Sequence, residues 1–68
     1  MNRRPVSSSN VAGLGWEDGV LEVEFRSGAI YRYAGVSEQE YRTLLGSMSI
    51  GGALREHIIG FREATRLK

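Results

Sequence analysis

The run Leu21-Glu22-Val23-Glu24-Phe25-Arg26-Ser27-Gly28-Ala29-Ile30-Tyr31-Arg32-Tyr33 decides the fold. Leu21, Val23 and Phe25 alternate with Glu22 and Glu24, the period of a strand with one buried face. Ala29, Tyr31 and Tyr33 alternate in the same way with Ile30 and Arg32. The loop between the two runs decides which faces meet. A two-residue Ser27-Gly28 loop would set Val23 opposite Arg32 and both tyrosines on the glutamate face. A three-residue loop, Arg26-Ser27-Gly28 with Gly28 left-handed as a G1 bulge, sets Val23 opposite Tyr31 and Leu21 opposite Tyr33. It also brings Glu22 across from Arg32, an attractive pair. The three-residue loop is therefore expected.

Working outward, Ala12, Leu14 and Trp16 alternate with Gly13 and Gly15. A two-residue Asp18-Gly19 turn of type I′ places Trp16 opposite Leu21 and Leu14 opposite Val23, so the apolar side chains share one face. The expectation is an α+β fold: a three-stranded antiparallel β-meander with one face covered by two short C-terminal helices. The sheet needs that cover, because so few strands are not stable alone. The first helix announces itself at Ser37, with Glu40 three residues on to complete a capping box and Val36 and Tyr41 placed as a hydrophobic staple. Tyr41, Leu44, Leu45 and Met48 form its apolar stripe, and Gly46 is expected at C′. After the break Ser47-Met48-Ser49-Ile50-Gly51-Gly52, a second helix is expected over 53–59, stopped by Gly60. Ile50, Leu54, Ile58 and Phe61 mark its buried side. Residues 61–68 read equally as a helical tail, a fourth strand or a frayed end. Residues 1–9 are expected to be an extended, flexible lead-in, since Pro5 holds Arg4 extended and the serine run has no periodicity. Residues 10–68 form the single domain.

The chain has 68 residues, 41% hydrophobic, with no cysteine and one histidine. A domain of this size buries only about 60% of its unfolded surface, which leaves little room for a deep active site. Without cysteine there is neither a disulfide framework nor a thiolate metal site, and one histidine makes no zinc site. No apolar run approaches the ~20 residues that span a bilayer, and no apolar segment follows the basic N-terminus as in a signal peptide. A cytoplasmic location, no membrane, no metal and no cofactor are expected.

The set Leu21–Val36, with Ser7-Ser8-Ser9-Asn10-Val11 before it and Tyr41 and Gly52…His57-Ile58 after it, resembles the KTSC domain. That family is named for its place at the C-terminus of some lysyl-tRNA synthetases, and it also occurs as stand-alone bacterial and phage proteins. Its central Tyr-x-Tyr is matched by Tyr31-Arg32-Tyr33. The resemblance spans about residues 5 to 67. It carries no assigned activity, and the synthetase context implies RNA binding. This chain departs from the family in its compact Glu17-Asp18-Gly19 turn. It also carries Ala53, Leu54, Arg55 and Ile59 where aromatic and polar residues and a further arginine are common, and Phe61 and Ala64 where later tyrosines are common.

The net charge is +1, below that of a dedicated nucleic-acid binder. Its distribution is uneven. Acidic residues gather at Glu17, Asp18, Glu22 and Glu24, and basic ones at both chain ends. Eight of the nine basic residues are arginine, the side chain suited to bidentate phosphate contacts. Arg55, Arg62, Arg66, Lys68, Arg3 and Arg4 are the candidate nucleic-acid contacts. Arg26 and Arg32 are auxiliaries, with Arg32 last because Glu22 faces it. Tyr31, Tyr33 and Gly28 read as structural, the tyrosines packing inward or at a rim, and Trp16 reads as a core anchor. The glycine-containing 47–52 segment reads mainly as a connector with some capacity for phosphate. His57 reads as helix packing or capping, and Glu22 and Glu24 as a solvated pair. The sequence thus supports a small non-catalytic module that binds RNA or tRNA through arginines near the chain ends. Its alternative is a protein–protein interaction module or accessory protein, monomeric or weakly dimeric, docking through an apolar rim or an edge strand.

Overall fold

The turns set the register in the computed structural model, which describes all 68 residues. Asp18 and Gly19 both have positive φ, 49° and 81°, as a type I′ turn requires. The turn joins β2 (Val11–Glu17) to β3 (Val20–Phe25) with Trp16 opposite Leu21 and Leu14 opposite Val23. Gly28, at φ 100°, closes the three-residue loop to β4 (Ile30–Tyr33), and its N–H donates to the Phe25 carbonyl at 2.9 Å. Val23 faces Tyr31, Leu21 faces Tyr33 and Glu22 faces Arg32, as the loop length predicted.

Two further strands enlarge the expected three-stranded meander to five, in the order β1-β2-β3-β4-β5. The lead-in supplies β1 (Arg4–Pro5), antiparallel to β2 with Arg4 opposite Leu14. The C-terminal segment supplies β5 (Ala64–Arg66), antiparallel to β4 with Arg66 opposite Tyr31. Neither strand has apolar alternation, because each lies at an edge and is held by backbone hydrogen bonds. Pro5, which has no amide to donate, is tolerated there for the same reason.

Two helices cover one face: α1 (Glu38–Leu45) and α2 (Ile50–His57). The α1 capping box is complete: Glu40 N–H donates to Ser37 Oγ at 3.1 Å and Ser37 N–H to Glu40 Oε1 at 3.0 Å. Gly46 is the C-cap in ordinary right-handed geometry, not a left-handed C′ residue. The second helix starts three residues earlier than expected. Ser49 caps it, its Oγ accepting from Gly52 N–H at 3.3 Å, which offsets the poor helix propensity of Gly51 and Gly52.

The core is Val11, Leu14, Leu21, Val23 and Tyr33 from the sheet, with Val36, Leu44, Ile50, Leu54 and Ile58 above them. Ala12 is displaced from the apolar face by a bulge between Val11 and Gly13, which turns Val11 inward instead. Two expected core members lie outside. Met48 is fully exposed beyond the end of α1, and Phe61 is 66% exposed after the Gly60 turn. Trp16 anchors the rim: its indole N–H donates to the Val36 carbonyl at 2.7 Å and its ring stacks on Tyr41.

The opposite face explains the alternating glycines of β2. A Cβ on Gly15 would come within 2.6 Å of the Asn2 carbonyl oxygen, and one on Gly13 within 3.3 Å of that of Arg4. The N-terminal backbone lies directly on these two residues, an approach that excludes any side chain at Gly15 and leaves little room for one at Gly13.

Candidate nucleic-acid interface

The arginines fall into two groups of four. Arg3, Arg32, Arg42 and Arg62 each pair with a carboxylate. Arg4, Arg26, Arg55 and Arg66 pair with no aspartate or glutamate, Arg66 Nε donating instead to the main-chain oxygen of Lys68 at 3.2 Å; every ion pair between side chains involves one of the first four or His57.

The paired group includes two of the predicted phosphate contacts. Arg3 lies over the uncovered face of the sheet, where its Nη1 donates to Glu22 and its Nε to Glu24 Oε1 at 3.2 Å. Arg32 Nε donates to the other Glu22 oxygen at 2.8 Å. Glu22 is therefore 2% exposed, which corrects its reading as half of a solvated pair. Burial pushes its carboxyl up, but the hydrogen bonds from Arg32 and Arg3 outweigh burial and hold it below the ordinary range. Arg62 is committed as well. Its Nη2 donates to Glu40 Oε2 at 2.6 Å and its Nε to the Gly35 carbonyl at 3.1 Å. The Ser37 amide bond and the Arg62 charge hold the Glu40 carboxyl low against the effect of burial. Arg3 and Arg62 thus serve the fold.

The unpaired group is concentrated at the opposite end of the strands from the Asp18-Gly19 turn. Arg26, Arg55 and Arg66 line one groove of about 590 Å³. Each arrives from a different element: the β3–β4 loop, α2 and β5. Arg26 reaches across to the serine segment, its Nε donating to the Ser8 carbonyl at 2.6 Å. Arg55 and Asn10 converge on Gly51, with Asn10 Nδ2 at 3.7 Å and Arg55 Nη1 at 3.8 Å from where a Gly51 Cβ would sit. The Arg66 guanidinium lies 5.7 Å from the centroid of the Tyr31 ring, a cation–π contact. No aspartate or glutamate lines this groove. A second hollow of about 420 Å³ continues it past Asn10 toward Ser49 and Gly52, again without a carboxylate.

The tyrosines of the Tyr-x-Tyr divide. Tyr33 is 4% exposed, and burial together with the neighbouring Tyr31 raises its hydroxyl pKa. Tyr31 is half-buried in the groove wall, stacked on Tyr33 and edge-on to Phe25. Arg4 and Lys68 are exposed but do not line the groove. His57 is exposed at the α2 C-terminus, so it does not pack. Of the six predicted contacts the structure thus brings together Arg55 and Arg66, and adds Arg26. The signal for that grouping is the loop length, which places Arg26 at the strand end that β5 also reaches.

The KTSC domain model matches residues 7–61. The chain belongs to the KTSC domain family. A KTSC domain protein of Yersinia pestis, known from its crystal structure, superposes with a TM-score of 0.93 at 30% identity over 98% of this chain and 97% of its own. An "uncharacterized protein" of Stutzerimonas stutzeri (strain A1501) is 43% identical over 53 residues, covering 75% of each chain. The KTSC family match includes the serine segment, Arg26, Tyr31 and Arg55, and stops before Arg66. No helix is long and apolar enough to cross a membrane.

Proposed function

We propose that this KTSC domain is a non-catalytic module that binds RNA through the phosphates it can place against Arg26, Arg55 and Arg66. One observation carries the reading: three arginines from three elements line one groove without an aspartate or glutamate, while four of the other five arginines pair with glutamate. Keeping unpaired like charges together costs electrostatic energy, and an anionic ligand recovers it. The acidic Glu17-Asp18 turn at the other end of the strands gives the molecule a polarity that steers such a ligand to the basic end. The reading places the protein in the cytoplasm with its ligand. Amide NMR titration with tRNA and with mixed single-stranded RNA, at about 50 and 200 mM salt, tests it. Shifts localised to Arg26, Arg55, Arg66 and the 47–52 segment that fade at the higher salt are expected. No shifts at the lower salt would end the reading in favour of a protein partner.

A further inference from the structure

The groove beneath the unpaired arginines has two chemically different halves. One half is walled by Phe25, Tyr31, Leu54 and Ile59, with the Arg66 guanidinium over the Tyr31 ring. The other is lined by Ser7, Ser8, Ser49 and Gly52 with almost no apolar side chain. Arg26 and Arg55 line both halves, as do Asn10 and Gly51, so the cations stand at the junction. Each half falls within the range of about 300–1,000 Å³ typical of small-ligand sites.

We infer that the groove accepts one unpaired nucleotide of a single strand, with its base in the Phe25–Tyr31–Ile59 half and its phosphate held by Arg26 and Arg55 toward the serine-lined half. The inference rests on the RNA-binding reading and narrows it to single strands. A base offers a flat apolar face that stacks on a guanidinium plane or an aromatic ring. The Tyr31 ring is already flanked by Tyr33 and by the Arg66 guanidinium, so the base stacks on Arg66 or takes its place over the tyrosine. Phosphate is the complement of two arginines that have no carboxylate between them. In a duplex the base faces are already stacked on one another, so the apolar half gains nothing from double-stranded RNA.

The test compares three probes on the unaltered protein by NMR and fluorescence anisotropy at one salt concentration: a short single-stranded RNA, an abasic strand of the same length, and the corresponding duplex. The single strand is expected to bind about tenfold more tightly than the abasic strand, the effect of one stacked base. It is also expected to move the amides of Phe25, Tyr31 and Ile59, which the abasic strand leaves in place. Equal affinity for the single and abasic strands, or for the single strand and the duplex, overturns the single-nucleotide inference while leaving phosphate binding intact. Failure of all three probes to bind overturns both.

Discussion

The two sides of this sheet use the same residue type in opposite ways. On the uncovered face Arg3 and Arg32 close over Glu22 from either side, Arg3 also reaching Glu24, and the two charges of each sign cancel in a contact that pins the N-terminal backbone to Gly13 and Gly15. At the groove Arg26, Arg55 and Arg66 meet no carboxylate. An arginine in the first setting is part of the fold, and its removal strands a buried glutamate. In the second setting there is no glutamate to strand: Arg26 donates to the Ser8 and Val6 carbonyls and Arg66 to the Lys68 main-chain oxygen, and their charge is left uncompensated by any acidic side chain. Position in the chain does not separate the two groups, since Arg62 and Arg66 are four residues apart and belong to different ones.

The largest expected effect lies in the paired group. Glu22→Ala leaves Arg3 and Arg32 without their shared partner and loosens β1; urea denaturation should show a loss of about 2 kcal/mol. A loss below about 0.5 kcal/mol would mean that the pairing is incidental. Gly15→Ala attacks the same contact sterically. The new methyl meets backbone at 2.6 Å, so the N-terminal segment must lift, at a cost of about 2 kcal/mol with amide exchange increased at residues 2–4. Arg55→Ala belongs to the other group. It should lower RNA affinity about tenfold, which is about 1.4 kcal/mol, and leave unfolding stability within about 0.5 kcal/mol. Arg62→Ala should invert that pattern on a smaller scale. It is expected to cost about 1 kcal/mol of stability or less, with RNA affinity unchanged.

Acid separates the groups again. The Glu22 and Glu40 carboxyls both titrate below their ordinary range in the folded chain. Each therefore contributes stability that is complete above the unfolded carboxylate pKa and is lost as pH falls through the lowered folded value. Thermal unfolding should shift to lower temperature as pH drops through that window, and the shift should shrink in Glu22→Gln. No aspartate or glutamate lines the groove, so the folded protein's affinity for RNA should stay flat across the same range.

The central hairpins were legible because their information is local. Asp18-Gly19, the length of the Arg26-Ser27-Gly28 loop and the alternation around them leave one register that buries the apolar side chains, and that register is the one present. Ser37 and Glu40 are equally local. The edge strands were only partly legible, because Arg4-Pro5 and Ala64–Arg66 are held by backbone bonds to β2 and β4 and carry no pattern of their own: residues 1–9 read as a flexible lead-in, and a strand is one of three open readings of residues 61–68. Gly13 and Gly15 did hold a signal: glycine at alternate strand positions marks a face that another backbone approaches. The division of the arginines is tertiary. Glu22–Arg32 followed from the hairpin register, whereas Glu22–Arg3 and Glu40–Arg62 join residues 19 and 22 apart that no local rule connects.

The central claim is that the unpaired arginines, and not the paired ones, face the RNA. The salt dependence of single-stranded RNA affinity tests it most directly, because the slope counts the phosphates neutralised. Three arginines give a slope of about −2 in log affinity against log salt for a single strand. The account predicts that slope for the unaltered protein, a nearly flat line for Arg26→Ala/Arg55→Ala/Arg66→Ala, and the full slope for Arg62→Ala. A flat line for the unaltered protein, or an undiminished slope in the triple variant, would contradict it.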